Sequence, residues 1–302
     1  MVRWLFVLIC TLAAIGAPAQ QKTQEERDRE KRFQEESAKA NKDTVAHVGW
    51  KHTAAAGANL TQVSYKDWVT GGENALAYAL HLGGVSTAFG VRTVWANSYQ
   101  LAFGQARLGD QGLRKTDDEI YVESFLIYKM GTEVNPYAAA TFRTQFGPGY
   151  TYTAGVETQV SKFFDPAYLT QSAGIAYQPA AGFTTRVGVA LREVLTSSFP
   201  FYADDPETRT VVEKTSVRGG AESVSDLHVT VAENVELTAR LELFAPFNAM
   251  DRVIVRNDYV ITARVNSFIS TTLTFNILND VNISPRTQMK QVLAIGFTYT
   301  LL

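Results

Sequence analysis

Cysteine is nearly missing from these 302 residues: Cys10 is the only one, and it lies in an apolar stretch at the N-terminus. Disulfides and cysteine-based nucleophiles or metal centres are therefore excluded from everything that follows it. A surplus of one charge is missing as well. Lysine and arginine number 28 against 30 aspartates and glutamates, for a formal net charge of -2. Nucleic-acid binding, which calls for a basic face or stripe, is disfavoured. Long hydrophobic runs are also absent, with a mean hydropathy of -0.08. The longest run, Trp4 to Ile15, is far short of the roughly 20 residues that cross a bilayer as a helix. There is no H-E-x-x-H helix, no phosphate-binding G-x-x-x-x-G-K-[ST] loop and no G-x-S-x-G elbow. The expectation is of a protein that is not an enzyme, with no catalytic residue, cofactor or metal.

What is present begins with a secretory signature. Arg3 supplies a positive start, Trp4 to Ile15 an apolar stretch, and Ala17-Pro18-Ala19 the small residues that a signal peptidase reads. Residues 1–19 are expected to be a signal peptide that directs Sec-type export into the periplasm. Residues 20–48 differ in kind. Glu25 to Arg32 is an unbroken run of charges of both signs, and Phe33 is the one large apolar residue among them. Thr23 with Glu26 fits a capping box, and Glu26/Glu30, Arg32/Glu36 and Glu35/Lys39 have helical pair spacing. This segment is read as a solvated periplasmic helix or linker, since no face of it could enter a core.

From residue 49 the apolar period becomes two, as in strands with one apolar and one polar face. In Val235-Glu236-Leu237-Thr238-Ala239-Arg240-Leu241-Glu242-Leu243 the odd positions are apolar and the even ones polar or charged. Ile269 to Ile277 and Leu293 to Leu301 repeat the pattern, and about 12 such runs can be counted. Several reach the roughly 9 to 11 residues that a tilted strand needs to cross a bilayer. Mid-strand charges such as Glu123, Arg143, Arg240 and Arg264 are costly in a dry core and cheap in a wet lumen. Trp68, Trp95, Tyr99, Tyr128, Tyr168, Tyr177 and Tyr259 suit interfacial girdles. The predicted fold is all-β: an antiparallel transmembrane β-barrel of about 12 strands over 49–302, in the bacterial cell outer membrane. Leu237, Leu241, Leu243, Leu273, Phe275, Leu293 and Phe297 are expected to face lipid. Gly296, Tyr299 and Leu301 resemble the terminal-strand signal read by the barrel assembly machinery, with Leu302 in place of the usual terminal aromatic.

These strands carry a further likeness. Trp68-Val69-Thr70-Gly71-Gly72-Glu73-Asn74, Leu113-Arg114-Lys115-Thr116-Asp117-Asp118-Glu119-Ile120, Phe142-Arg143-Thr144-Gln145-Phe146 and Phe164-Asp165-Pro166-Ala167-Tyr168-Leu169-Thr170 together resemble an uncharacterised outer-membrane family of Bacteroidetes-type bacteria, domain-of-unknown-function family 3078. The resemblance implies a β-barrel and an outer-membrane address, and brings no activity or site residue with it.

The polar face supplies the functional candidates. Glu123, Arg143, Arg186, Glu236, Arg240, Glu242, Arg252, Arg256, Asp258 and Arg264 are expected to line the lumen, with arginine in excess from Arg252 to Arg264. Arg252, Arg256 and Arg264 have even spacing and are assigned to one face of one strand. Asp226 and His228 share a strand face, but about 7 Å separates such neighbours, too far for a direct bond. Twelve tilted strands enclose a backbone cylinder roughly 24 Å across. The expected function is a passive or weakly selective channel for small, possibly anionic, solutes. The alternative is a closed barrel with a structural or protein-interaction role in the envelope. The expected partners are outer-membrane lipid and lipopolysaccharide, the assembly machinery and small solutes.

Overall fold

The computed structural model describes residues 48–65, 73–153, 155–205, 208, 211–266 and 269–300, without the side chains of 298–300. The expected signal peptide, the charged segment up to residue 47, Trp68, Leu301 and the side chain of Tyr299 lie outside the described residues.

The alternating runs become strands: β1 (Gly49–Val63), β2 (Ala75–Phe89), β3 (Thr93–Leu108), β4 (Arg114–Tyr128), β5 (Val134–Thr144), β6 (Gly149–Thr153), β7 (Val156–Ser161), β8 (Ala167–Ala180), β9 (Phe183–Leu195), β10 (Thr215–Ala232), β11 (Val235–Pro246), β12 (Ile254–Arg264), β13 (Ile269–Asn279) and β14 (Gln288–Thr300). All but β6 and β7 form one closed antiparallel barrel in the order β1-β14-β13-β12-β11-β10-β9-β8-β5-β4-β3-β2. Closure pairs each of these strands with a neighbour on both sides, although β1 and β14 meet over only four residue pairs. Sequence neighbours pair throughout, except where the β6–β7 hairpin is inserted between β5 and β8.

The two ends of the barrel differ. At one end the connections are short, 90–92, 129–133, 181–182, 233–234 and the four residues between β12 and β13, and β1 begins and β14 finishes there. At the other end lie the five-residue connection 109–113 and the longer ones, 64–74, 145–166, 196–214, 247–253 and 280–287. The β6–β7 hairpin belongs to this long-loop end. The composition of Phe146-Gly147-Pro148-Gly149-Tyr150 indicates only a turn; the structure continues it into the hairpin, since Tyr150-Thr151-Tyr152-Thr153 is a short β-favouring alternation. Asp118 anchors the turn by accepting the Phe146 N–H at 2.7 Å and the Gly147 N–H at 2.8 Å. Lys115 Nζ lies 2.9 Å from the same carboxylate and donates to Gly147 O at 3.0 Å. The Arg114 guanidinium lies 3.9 Å from the centre of the Tyr152 ring.

Two expectations are corrected. Arg252 precedes β12 and lies in the turn from β11, so it shares no strand face with Arg256 and Arg264. Asp251 and Arg252 fall where the chain reverses, and even spacing has no meaning off a strand. Tyr168 is not a girdle residue. It stands in register with Arg143, which points inward, and the Arg192 guanidinium packs over its ring at 5.7 Å. The alternation of β8 fixes it on the inner face.

Candidate functional site

The strand register sorts every side chain inward or outward, and the outer wall is apolar. Leu293, Ile295 and Phe297 on β14 are each about two-thirds exposed, and Val187, Val189 and Leu191 on β9 alternate outward likewise. Leu237, Leu241 and Leu243 share the outward register of β11, as do Leu273 and Phe275 on β13. Near the short-turn end, Trp50 stacks on His52 at 5.7 Å, lies 5.7 Å from Trp95, and Trp95 Nε1 donates to Ser124 Oγ at 2.8 Å. A soluble barrel would turn this apolar face inward.

The inner wall carries charge, and its centre is Glu123 on β4. Glu123 Oε1 accepts from Arg186 Nη2 of β9 at 2.6 Å and from Arg240 Nη2 of β11 at 2.9 Å. The planar fork of Arg240 spreads its remaining donors over two further acids: Nη1 to Asp226 at 2.9 Å and Nε to Glu242 at 2.7 Å. Glu242 lies 3.7 Å from Arg143 Nη1, whose Nε is 3.0 Å from Glu119. Tyr121 fills the space beneath, with the Arg143 guanidinium 4.7 Å and that of Arg240 5.8 Å from its ring centre. Arg256 pairs with Asp258 at 3.6 Å, opposite Glu242 in register, and Arg264 pairs with Glu236 at 3.0 Å. The predicted acids therefore answer the predicted arginines, and the row on β12 is no bare positive strip.

Geometry across the ring gives this network its meaning. Between β4 and β11 lie β5, β8, β9 and β10 on one side and β12, β13, β14, β1, β2 and β3 on the other. The Glu123–Arg240 bond is thus a chord across the lumen, close to its full width. The half beyond it, towards β5 to β10, is packed: Glu123, Arg186, Tyr137, Val224, Ala139, Ala176 and Ala190 are all buried. On the opposite arc the inward positions are small or slender, including Gly57, Ala77, Ala79, Gly83, Ala96, Ser98, Ala102, Thr274 and Ala294. There the mid-strand inward residues His81 and Gln100 are exposed, and inward Val292 is 37% exposed. The lumen is filled on one side and lined by smaller, more exposed residues on the other.

Glu123, Arg143, Arg186, Arg240 and Glu242 meet on the chord or in the filled half; Arg256 and Asp258 stand beside it on β12, Glu236 and Arg264 pair near the short-turn end, and Arg252 is outside it. Tyr121 and Glu119 are members that charge-by-charge reading missed, although they share the inward parity of Glu123, while Asp226 stands on the lumenal face where it was expected. Asp226 and His228 do not bond to each other: Asp226 is held by Arg240, and His228 Nδ1 lies 3.3 Å from Thr238 Oγ1.

The geometry meets a relationship in sequence at this point. Residues 60–150 match the family described as Protein of unknown function (DUF3078). The DUF3078 match runs from the end of β1 into β6, so it includes Tyr121, Glu123 and Arg143 of the lumenal network and the Lys115–Asp118 anchor, but not Arg186 or Arg240. No match is found among curated protein sequences. Among solved structures, the chain is similar to the translocator domain of autotransporter NalP from Neisseria meningitidis, at 10% identity over 91% of this chain and 97% of that one, TM-score 0.37. It is also similar to an outer membrane channel from Pseudomonas putida F1, at 12% identity over 84% of this chain and 95% of that one, TM-score 0.38.

Proposed function

We propose that this chain spans the outer membrane and passes small polar solutes through the open half of its lumen. The carrying observation is the division of the interior by the Glu123–Arg240 chord, with exposed His81 and Gln100 on the side lined by small residues. The apolar outer wall supports the membrane placement, and the short turns shared with both ends of the barrel chain match the periplasmic end of such barrels. Outer-membrane lipid and lipopolysaccharide would surround the wall, and the barrel assembly machinery would insert it. No catalytic step belongs to this function. The wall of the passage is built mostly of small, uncharged residues, and the arginines facing it are matched by acids, so only weak selectivity by charge is expected.

A second function has one observation in its favour. Lys290 on β14 bonds Asp117 on β4 at 2.7 Å, tying two walls together near the long-loop mouth of the open half. If that tie persists, the barrel is closed and its role is structural or interactive.

Gly83 decides between them. A Cβ there would meet nothing nearer than Tyr99 O at 3.7 Å, so a side chain can start without a clash and projects into the passage. Purified protein in planar bilayers should show steady single-channel conductance, and Gly83→Trp should remove most of it while leaving heat-resistant folding intact. Conductance indifferent to Gly83→Trp places the conducting route elsewhere. No conductance in the parent, with current appearing in Asp117→Ala, establishes the closed barrel.

A further inference from the structure

The barrel is closed unevenly. β1 pairs with β2 over its whole length, from Gly49↔Phe89 to Val63↔Ala75, and β14 pairs with β13 from Gln288↔Leu278 to Phe297↔Ile269. Between β1 and β14 themselves, the ladder holds only from Ala55↔Thr300 to Ala58↔Phe297. Continued in register, Asn59 to Val63 would oppose Gly296 down to Val292, and no such pairs form. The zipper stops at a definite contact: a Cβ on Gly296 would overlap Asn59 Oδ1 and lie 2.8 Å from Ala58 O. Above it, towards the long loops, two strand edges face each other without pairing.

Unpaired edges are costly in hydrocarbon, because each free N–H or C=O there has no water to bond. They are tolerable where they border a wet cavity, and here the open half of the lumen lies directly behind them. β14 shows what else meets this seam. Between Gln291 and Ile295 this strand is apolar on both faces, with Val292 and Ala294 inward and Leu293 and Ile295 outward. Facing it, β1 offers Leu60 outward, 68% exposed, and Val63 inward, 39% exposed. Lys290, next along the inward row, is held away by Asp117 on the far wall.

We propose that this unzipped seam is a lateral opening between lumen and bilayer, occupied by an acyl chain of a bilayer lipid. The chain lies between Leu60 and Ile295 with its end against Val292 and Ala294, covering apolar surface on both faces of β14. The passage is thereby open to amphipathic molecules from the side as well as to polar solutes from its ends. The proposal rests on the membrane placement argued above.

The test uses the full chain with Cys10→Ser in vesicles of phosphatidylethanolamine and phosphatidylglycerol, with a benzophenone amino acid at one position. Irradiation should join phospholipid to the protein at position 292, which points inward, as well as at 293, which points outward. Position 81, inward on the fully paired β2, should give none. Adding Leu60→Cys with Ile295→Cys, then oxidising, should zip the seam and abolish the adduct at 292 but not at 293; reduction should restore it. Labelling at 293 without labelling at 292, or labelling at 292 that survives the disulfide, overturns the lateral opening and leaves the membrane barrel standing. Failure at 293 removes the membrane placement itself.

Discussion

Asp165 stitches two long loops together. Its carboxylate accepts from Thr196 Oγ1 at 2.6 Å, Ser197 Oγ at 2.7 Å, the Ser198 N–H at 2.9 Å and the Ser197 N–H at 3.1 Å, joining the connection before β8 to the one after β9. Burial opposes its ionisation, but these hydrogen bonds prevail and hold its carboxyl at about 2, below the ordinary 3.8. A depressed carboxyl stabilises the folded form fully above its unfolded pKa of about 4 and loses that contribution as pH falls through about 2. Protease cleavage in 145–166 and 196–214 should therefore accelerate between about pH 4 and pH 2. Asp165→Asn should cleave quickly at every pH and lose that dependence; a mutant as resistant as the parent would show that the clamp does not hold the loops. The clamp was partly legible: Phe164-Asp165-Pro166 stood out in sequence, but its partners lie some thirty residues on, and only folding places them.

At the scale of the element, β11 is where sequence spoke most clearly. The strict alternation from Val235 to Leu243 fixes both the strand and its two faces, since a one-residue slip would exchange every apolar and charged side chain. Leu241 faces out and Thr238 in. Leu241→Arg, near the bilayer centre, should cost about 2 to 4 kcal/mol of folding stability and lower the assembled yield. Thr238→Arg should cost clearly less, as its side chain reaches water beside His228. Urea titration of both variants in lipid vesicles measures the difference, and equal costs would mean that the two faces are not lipid and lumen. The same alternation misled at Arg252. Parity carries directional information only while the chain stays extended, and the turn after β11 ends that condition. Tyr168 erred differently: aromatic character suggested the interface, but parity with Arg143 across β5 governs where it points.

For the whole molecule, the distribution of charge inside the barrel sets its permeability. Each inward arginine of the network has an acid within ion-pair reach, so the lumen has little net field to select ions. Removing one acid should expose one arginine. Asp258 pairs with Arg256 and accepts from Asn276 Nδ2 at 2.7 Å, and Asn at position 258 keeps an acceptor while losing the charge. Reversal potentials across a salt gradient should be near zero for the parent and shift towards anions in Asp258→Asn, more at low salt where screening is weak. A parent already strongly anion-selective would contradict the balanced lumen.

Alternation alone marks the twelve strands of the barrel and most of their faces, because it is a local property and each polar residue among apolar neighbours must find water or a partner. It also marked Glu123, Arg143, Arg186, Arg240, Glu242, Arg256 and Asp258 as inward. Which charge meets which comes from the closed ring. Glu123 reaches Arg240 because ring closure sets β4 and β11 across the lumen, and 117 positions of chain separate the pair. The half-filled interior and the unzipped seam were decided there too. Both depend on which arcs of wall carry bulk and where two distant strands stop pairing, and a strand's own period contains neither.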